Sequence, residues 1–315
     1  MGRLRSGRSP DYPQIRAPIG NNKGMQANLI TTVLLPLALG IIMFGLGLHL
    51  RLADFARVLK MPKPVLIGLL TQMVVLPPIA FVLALAFALP APLAIGLMLL
   101  AASPGGATAN VFSHFARGDV ALNITLTAIN SLAVLLTLPL VVSWSMRYFL
   151  GTDAYVAPPT QKVLEVGLVI LVPVAFGMLV RAQTPRAADR LERIVKPLSL
   201  LILLALIALS VIKEWALIVA NALNVGAVCL ALNLLSLGIG YGIARACRLA
   251  RAQAIAIAFE VGIHNSTLAI FIALNVLNMP ALSIPAAIYS LIMYVTAGIV
   301  VWRLRAKPMG VPESP

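Results

Sequence analysis

The sequence predicts an all-α membrane protein of about nine transmembrane helices, and three observations carry that prediction. The 315 residues are 60% hydrophobic and 11% charged, with mean hydropathy +0.98, where a soluble domain averages about 25% charged residues. Apolar stretches long enough to cross a bilayer recur from end to end. The basic residues, which give a net charge of +14, gather in alternate connections between those stretches, a membrane-topology pattern that needs no nucleic acid to explain it.

The predicted spans are 27–49, 62–88, 91–115, 120–147, 162–181, 197–213, 215–244, 252–275 and 279–302. Pro36, Pro77, Pro78, Pro104, Pro139, Pro173 and Pro285 fall inside them. Transmembrane helices tolerate such breaks where neighbours or cavity water satisfy the freed backbone groups. One set of connections holds Arg51, Arg57, Lys60, Lys63, Arg117, Arg181, Arg186, Arg190, Arg193, Lys196, Arg245, Arg248, Arg251, Arg303, Arg305 and Lys307. The other set holds only Arg147, Lys162 and Lys213. That asymmetry places the first set in the cytoplasm. The C-terminal tail, 306–315, is then inside and the N-terminus outside, in a multi-pass protein of a plasma (bacterial inner) membrane. Residues 1–26 carry Arg3, Arg5, Arg8, Arg16 and Lys23 and lack an apolar core, so they are no signal peptide. They are expected to be a disordered leader, with Met25 as the natural start.

Glu260 is the carboxylate deep inside an apolar segment, in Phe259-Glu260-Val261-Gly262-Ile263-His264-Asn265-Ser266. An intramembrane acid is costly unless paired and so marks a functional site. The partner expected here is a cation, which points to transport. The Gly and polar residues after Glu260 predict an opened helix that frees the carbonyls of Val261 and Ile263. Carbonyl, carboxylate and amide oxygens suit hard cations, and unwound backbone beside a carboxylate is a way to hold Na⁺. A second break is predicted in Ser103-Pro104-Gly105-Gly106-Ala107-Thr108-Ala109-Asn110. Pro104 removes a backbone donor and disfavours helix at Ser103. A half-helix restarting near Ala107 would present its N–H groups and positive dipole end to an anion at membrane depth.

Each break lies in the next-to-last span of its half. Paired interrupted spans in matching places are the sequence pointer to inverted repeats with a midplane site. The halves are 27–150, with four helices, and 160–305, with five.

These two segments, with Ala116-Arg117-Gly118-Asp119-Val120-Ala121-Leu122 between them, resemble the bile acid:sodium symporter family. So do Gly40-Ile41-Ile42-Met43-Phe44-Gly45-Leu46-Gly47-Leu48 and Asp54-Phe55. The likeness covers roughly 27–305. It implies two inverted five-helix repeats forming core and panel domains, the first helix being absent in nine-span members. It implies two coupling sodium ions and no other cofactor. Asn110, Asn123, Thr127 and Glu260 match one ion's ligands, with Ala109 where a hydroxyl residue is usual. Gln72, Glu260 and the carbonyls of Val261 and Ile263 match the other's, with His264 in place of a glutamine. The organic anion, a small carboxylate or a bile-acid-like molecule, is expected near Ala107, Thr108, Asn265 and Ser266.

The remaining polar residues have structural readings. Asn130, Ser131 and Asn233 are expected to be structural polar residues, His49 and His114 to sit at the interface, and Glu165 at an outer membrane end. Cys229 and Cys247 form no metal or redox motif and are read as packing. A proton-coupled or cation/proton exchange carrier using Glu260 is the competing reading. It usually needs a second acid at that depth, which the sequence lacks. Enzyme chemistry would need a nucleophile–base set or a metal cluster, and a Glu and a His four positions apart supply neither.

Overall fold

A computed structural model describes residues 35–151, 160–213 and 215–306. The leader, the tail and the first residues of the first predicted span lie outside them, as do the side chains of Lys162, Glu165 and Lys213. The described residues are helical, without β-strands.

In chain order the helices are α1 (Leu35–His49), α2 (Leu52–Lys60), α3 (Pro62–Leu70), α4 (Leu76–Ala86), α5 (Ala91–Ala102), α6 (Ala107–Phe115) and α7 (Val120–Leu150). They continue with α8 (Thr160–Gln183), α9 (Pro185–Lys213), α10 (Trp215–Ala246), α11 (Arg251–Gly262), α12 (Ser266–Phe271) and α13 (Ser283–Ala306). Four unbroken segments are long and apolar enough to cross a membrane: Pro62–Ala86, Val120–Leu150, Trp215–Ala246 and Pro280–Arg305. The pair formed by α1 and α2, bent by 57°, brings the number to five if counted as one span. This is an integral membrane protein.

Helix α7 has the two-faced build that a lipid-facing helix needs. Leu132, Leu136, Leu140 and Trp144 point outward at four-residue intervals, Leu136 being 74% exposed. Asn123, Thr127, Asn130 and Ser131 point inward and are buried. In lipid an outward leucine costs nothing, whereas a polar side chain must find partners inside the bundle.

Helix α1 packs on α8 through glycines. A Cβ on Gly47 would lie 2.2 Å from the Val174 carbonyl oxygen, and one on Gly177 would lie 2.5 Å from that of Phe44. Small residues let two backbones approach this closely. At the same end, the chain turns from α1 into the amphipathic α2. Asp54 there accepts from the Arg51 N–H and from Arg57 Nη1, both at 2.7 Å.

The basic stretch 181–196, expected as a connection, is largely helix. After a turn at Thr184, α9 starts at Pro185, eleven residues before the sequence stops being charged. Proline suits a first helical turn because its missing N–H would have no partner there. Arg181 binds this extension to the rest: its guanidinium donates to the Leu48 carbonyl, to Asp189 and to Glu192. That contact holds the exposed Asp189 carboxyl below its ordinary range. His49 Nε2 lies 2.9 Å from Glu192 Oε1. Charged residues thus continue a helix beyond the apolar window that defined the predicted span.

Candidate functional site

Both predicted breaks are present. Helix α5 ends at Ala102; Ser103 is extended and α6 restarts at Ala107, with Gly106 as an extended N-cap. Helix α11 ends at Gly262; Ile263 is extended and α12 starts at Ser266. The two breaks lie antiparallel against each other, bridged at Gly105 and His264. The Asn265 N–H donates to the Pro104 carbonyl at 2.8 Å, and His264 Nδ1 lies 3.0 Å from the Ser103 carbonyl oxygen. A carbonyl only accepts, so Nδ1 carries the proton and Nε2 the lone pair in the neutral ring. Nε2 is buried and has no partner.

Glu260 sits under this crossing and is fully buried. Its Oε2 accepts from Asn123 Nδ2 at 3.0 Å and Thr127 Oγ1 at 2.7 Å, and its Oε1 from Asn130 Nδ2 at 2.9 Å. All three donors are neutral and all three stand on one face of α7. Among the described residues no Lys, Arg or His nitrogen pairs with the carboxylate. Asn130, expected to be a structural polar residue, therefore belongs to the Glu260 cluster. The signal was in its register, three residues after Thr127 and seven after Asn123.

Gln72 reaches the crossing from the other side. It lies in a π-helical turn, Thr71–Val75, between α3 and α4. Pro77 lacks the N–H that would bond four residues back, and a widened turn accommodates that loss. Gln72 Nε2 points at the carbonyls of Ala101 and Ser103, at 3.4 and 3.3 Å. Gln72 and His264 thus converge on the Ser103 carbonyl. Asn110, on α6, is buried with neither amide atom bonded. Gln72 Oε1, Asn123 Oδ1 and Asn130 Oδ1 are likewise buried without a partner. Buried polar atoms are normally satisfied, and two of these unsatisfied oxygens belong to amides that bond Glu260, those of Asn123 and Asn130.

Asn233 on α10 and Tyr289 on α13 brace the second break. Asn233 Nδ2 and the Tyr289 hydroxyl donate to the Gly262 carbonyl at 2.9 and 2.8 Å, and Thr296 donates to Asn233 Oδ1 at 2.5 Å. Asn233, expected to be a structural polar residue, thus ties α10 to α11 and α13.

A cavity of about 670 Å³ opens on the opposite side of the crossing, walled by α1, α6, α9 and α13. Thr108, His264, Asn265 and Ser266 line it, with Gly106 between them. The side chain of Ala107 lies outside the described residues. The N–H groups at the start of α12 are not free: that of Asn265 bonds to Pro104, that of Ser266 to the His264 carbonyl, and that of Leu268 to Asn265 Oδ1. The antiparallel contact takes the Asn265 donor, and the turn's own His264 carbonyl and Asn265 side chain take the other two. What this break presents to the cavity includes the Ser266 hydroxyl, buried and without a partner.

The sequence model of the Sodium Bile acid symporter family matches residues 36–221. The chain belongs to the sodium bile acid symporter family. The mouse P3 protein is 34% identical over 243 residues, 77% of this chain and 51% of that protein. The chain therefore spans about half the length of that relative. An uncharacterized sodium-dependent transporter of Bacillus subtilis (strain 168), YocS, is 29% identical over 256 residues, 80% of this chain and 77% of its own length. A probable chloroplastic sodium/metabolite cotransporter of rice (Oryza sativa subsp. japonica), BASS2, is 26% identical over 292 residues, 92% of this chain and 68% of its own length. The family match covers the first break and the α7 donors, and ends before Glu260.

Proposed function

We propose that this chain is a sodium-coupled symporter that imports an organic anion by alternating access. One observation carries the reading: the Glu260 carboxylate is fully buried, its partners are neutral, and two of the amides that bond it keep an unsatisfied oxygen. A buried charge of this kind requires a counter-charge, and oxygens of this type suit a hard monovalent cation. One sodium ion lies among Asn110, Asn123, Thr127 and Glu260, with the Asn130 amide as a further oxygen. A second lies among Gln72, Glu260, the carbonyls of Val261 and Ile263, and His264. The anion occupies the cavity against Ala107, Thr108, Asn265 and Ser266. Sodium draws α7 and α11 together beneath the crossing and so fixes the cavity wall that the anion meets.

The architecture proposed is nine spans in two inverted repeats, 27–150 and 160–305, forming core and panel domains. Matched turns support the repeats. Phe87, Ala88 and Leu89 bond back to Leu83, Leu85 and Ala84; Cys247, Arg248 and Leu249 bond back to Ile243, Arg245 and Ala244. Ala88 and Arg248 both take positive φ, 46° and 61°. The helices that follow each turn have 12 residues and end at an extended residue. In the proposed topology these like turns lie on opposite sides of the membrane, the N-terminus outside and the C-terminus in the cytoplasm.

Two sodium ions with one monovalent anion carry one net positive charge inward, a movement worth about 2.3 kcal/mol per 100 mV. The thermal stability of purified protein in NaCl and in KCl at equal ionic strength tests the reading. A ligand specific to the folded state adds about 2.7 kcal/mol at 100 times its dissociation constant. A sodium-specific rise, lost in Glu260→Ala, is expected; equal stability in both salts over a wide concentration range counts against sodium coupling.

A further inference from the structure

The Gly262 carbonyl, at the end of α11, is the anchored point of the second break. Asn233 Nδ2 donates to it at 2.9 Å and the Tyr289 hydroxyl at 2.8 Å, so both of its lone pairs are used. Asn233 Nδ2 also donates to the Tyr289 oxygen at 3.1 Å, which closes a ring of three groups. A carbonyl only accepts, so the Asn233 nitrogen must face Gly262 and its Oδ1 must face away, where Thr296 Oγ1 lies at 2.5 Å. Asn233 and Tyr289 are fully buried. Glycine permits this close approach: a Cβ on Gly262 would lie 2.5 Å from Leu237 Cδ2, one turn along α10 from Asn233.

The flanking carbonyls are set by that anchor. Val261 has lost its helical partner, because the N–H four residues on, that of Asn265, donates to Pro104 instead. Ile263 is extended, with φ −114° and ψ 106°, so the carbonyls on either side of its Cα point in opposite directions. That of Gly262 faces α10 and α13, and that of Ile263 faces away from them. The Tyr289 ring also packs on His264, with centroids 5.2 Å apart.

We propose that Asn233 and Tyr289 are positioning residues for the second sodium ion, and that they set its preference for sodium over larger cations. Neither touches the ion. They hold the Gly262 carbonyl out of the ion's shell and so fix where the carbonyls of Val261 and Ile263 stand. Oxygens that cannot move keep one spacing, and an ion of another radius fits that spacing less well. The proposal rests on the sodium-coupled reading and adds to it the groups that choose the ion. The first sodium ion draws on no backbone carbonyl of this break, so the brace leaves it alone.

The test is binding of radioactive sodium to the purified full-length protein, titrated with and without potassium. The wild type is expected to show two saturable phases. Gln72→Ala weakens the phase of the second ion and Asn110→Ala that of the first, which assigns them. Tyr289→Phe keeps the ring against His264 and removes only the hydroxyl. It is expected to weaken the Gln72-dependent phase by about threefold to tenfold, the worth of one hydrogen bond. Potassium is expected to compete at that phase in the variant, and the Asn110-dependent phase to stay unchanged. Gly47→Ala, destabilised at the seam of α1 and α8, is expected to bind as the wild type does. Wild-type affinity and ion preference in Tyr289→Phe overturn the proposal, and so does a single phase in the wild type. Equal weakening of both phases, or a matching loss in Gly47→Ala, also overturns it, because either means general loosening. A wild type that binds no sodium defeats the sodium-coupled reading and the proposal with it; normal wild-type binding with an unmoved Tyr289→Phe defeats the proposal alone.

Discussion

The backbone of Gly105 rests on the carboxylate of Glu260. A Cβ at Gly105 would lie 2.7 Å from Cδ and from each carboxylate oxygen. The first break thus covers the acid of the second, and no side chain fits between them. Gly106, its neighbour, has open space where a Cβ would go.

Gly105→Ala and Gly106→Ala therefore separate. Forcing a methyl group onto a buried carboxylate is an overpacking change that costs about 1–3 kcal/mol. Gly105→Ala is expected to lower thermal stability by that order and to abolish the sodium-dependent rise. Gly106→Ala is expected to stay within about 0.5 kcal/mol of the parent and to keep it. Thermal melts of both variants in NaCl and KCl decide the matter, and equal behaviour would mean that Gly105 does not cover the acid.

The Asn130 amide is predicted to matter as much as Asn123 and Thr127. Removing one donor to a buried charged acceptor costs about 1.5–3 kcal/mol. Asn130→Ala is expected to destabilise by that order and to weaken sodium binding. Ser131→Ala, at a hydroxyl that among the described residues bonds only to the Thr127 carbonyl, is expected to do neither. Sodium titrations of the two variants, followed by melting temperature, check the contrast.

Much of this site was legible in the sequence. Pro104-Gly105-Gly106 and Gly262 through Ser266 announce breaks because their backbone preferences are strong and local. Glu260 announces itself by the cost of a charge in an apolar run. Asn123 and Thr127 came from family likeness, and their register with Asn130 on one face of α7 was available but unused. The engaged N–H groups of Asn265 and Ser266 were not legible, because they depend on how two breaks 160 residues apart meet. The helical extension of α9 through Glu192 was hidden by its charge. A hydropathy window ends where arginines begin, although Arg181 and Glu192 stabilise helix there through tertiary contacts. The π turn at Gln72 had a cue in Pro77, but a proline alone does not say whether a helix kinks, widens or ends.

Asn233 and Tyr289 brace the Gly262 carbonyl together, but Asn233 carries more of the network. Tyr289→Phe leaves that oxygen bonded to Asn233, so the expected loss is about 0.5–1.5 kcal/mol. Asn233→Ala removes the bonds to the Gly262 carbonyl, the Tyr289 hydroxyl and Thr296 at once, and a larger loss is expected. Because the residues share one network, the double variant should fall short of the sum. Denaturation of the two single variants and the double variant measures that coupling.

The seam between α1 and α8 is predicted to tolerate no added methyl. Gly47→Ala and Gly177→Ala each place a Cβ against backbone, which cannot rotate away. Each is expected to destabilise by more than about 1 kcal/mol. Gly238→Ala on α10, where no atom lies within 4 Å of the added carbon, is expected to be neutral or slightly stabilising, since alanine favours helix over glycine by about 1 kcal/mol. Comparative melts of the three variants provide the check.

Binding of radioactive sodium to purified protein tests the central claim most directly. The account predicts saturable binding by wild type that excess potassium does not displace, and none by Glu260→Gln, which keeps the shape of the side chain and removes its charge. Equal sodium binding by folded Glu260→Gln would contradict it, because the charge at the crossing would then have no part in holding the ion.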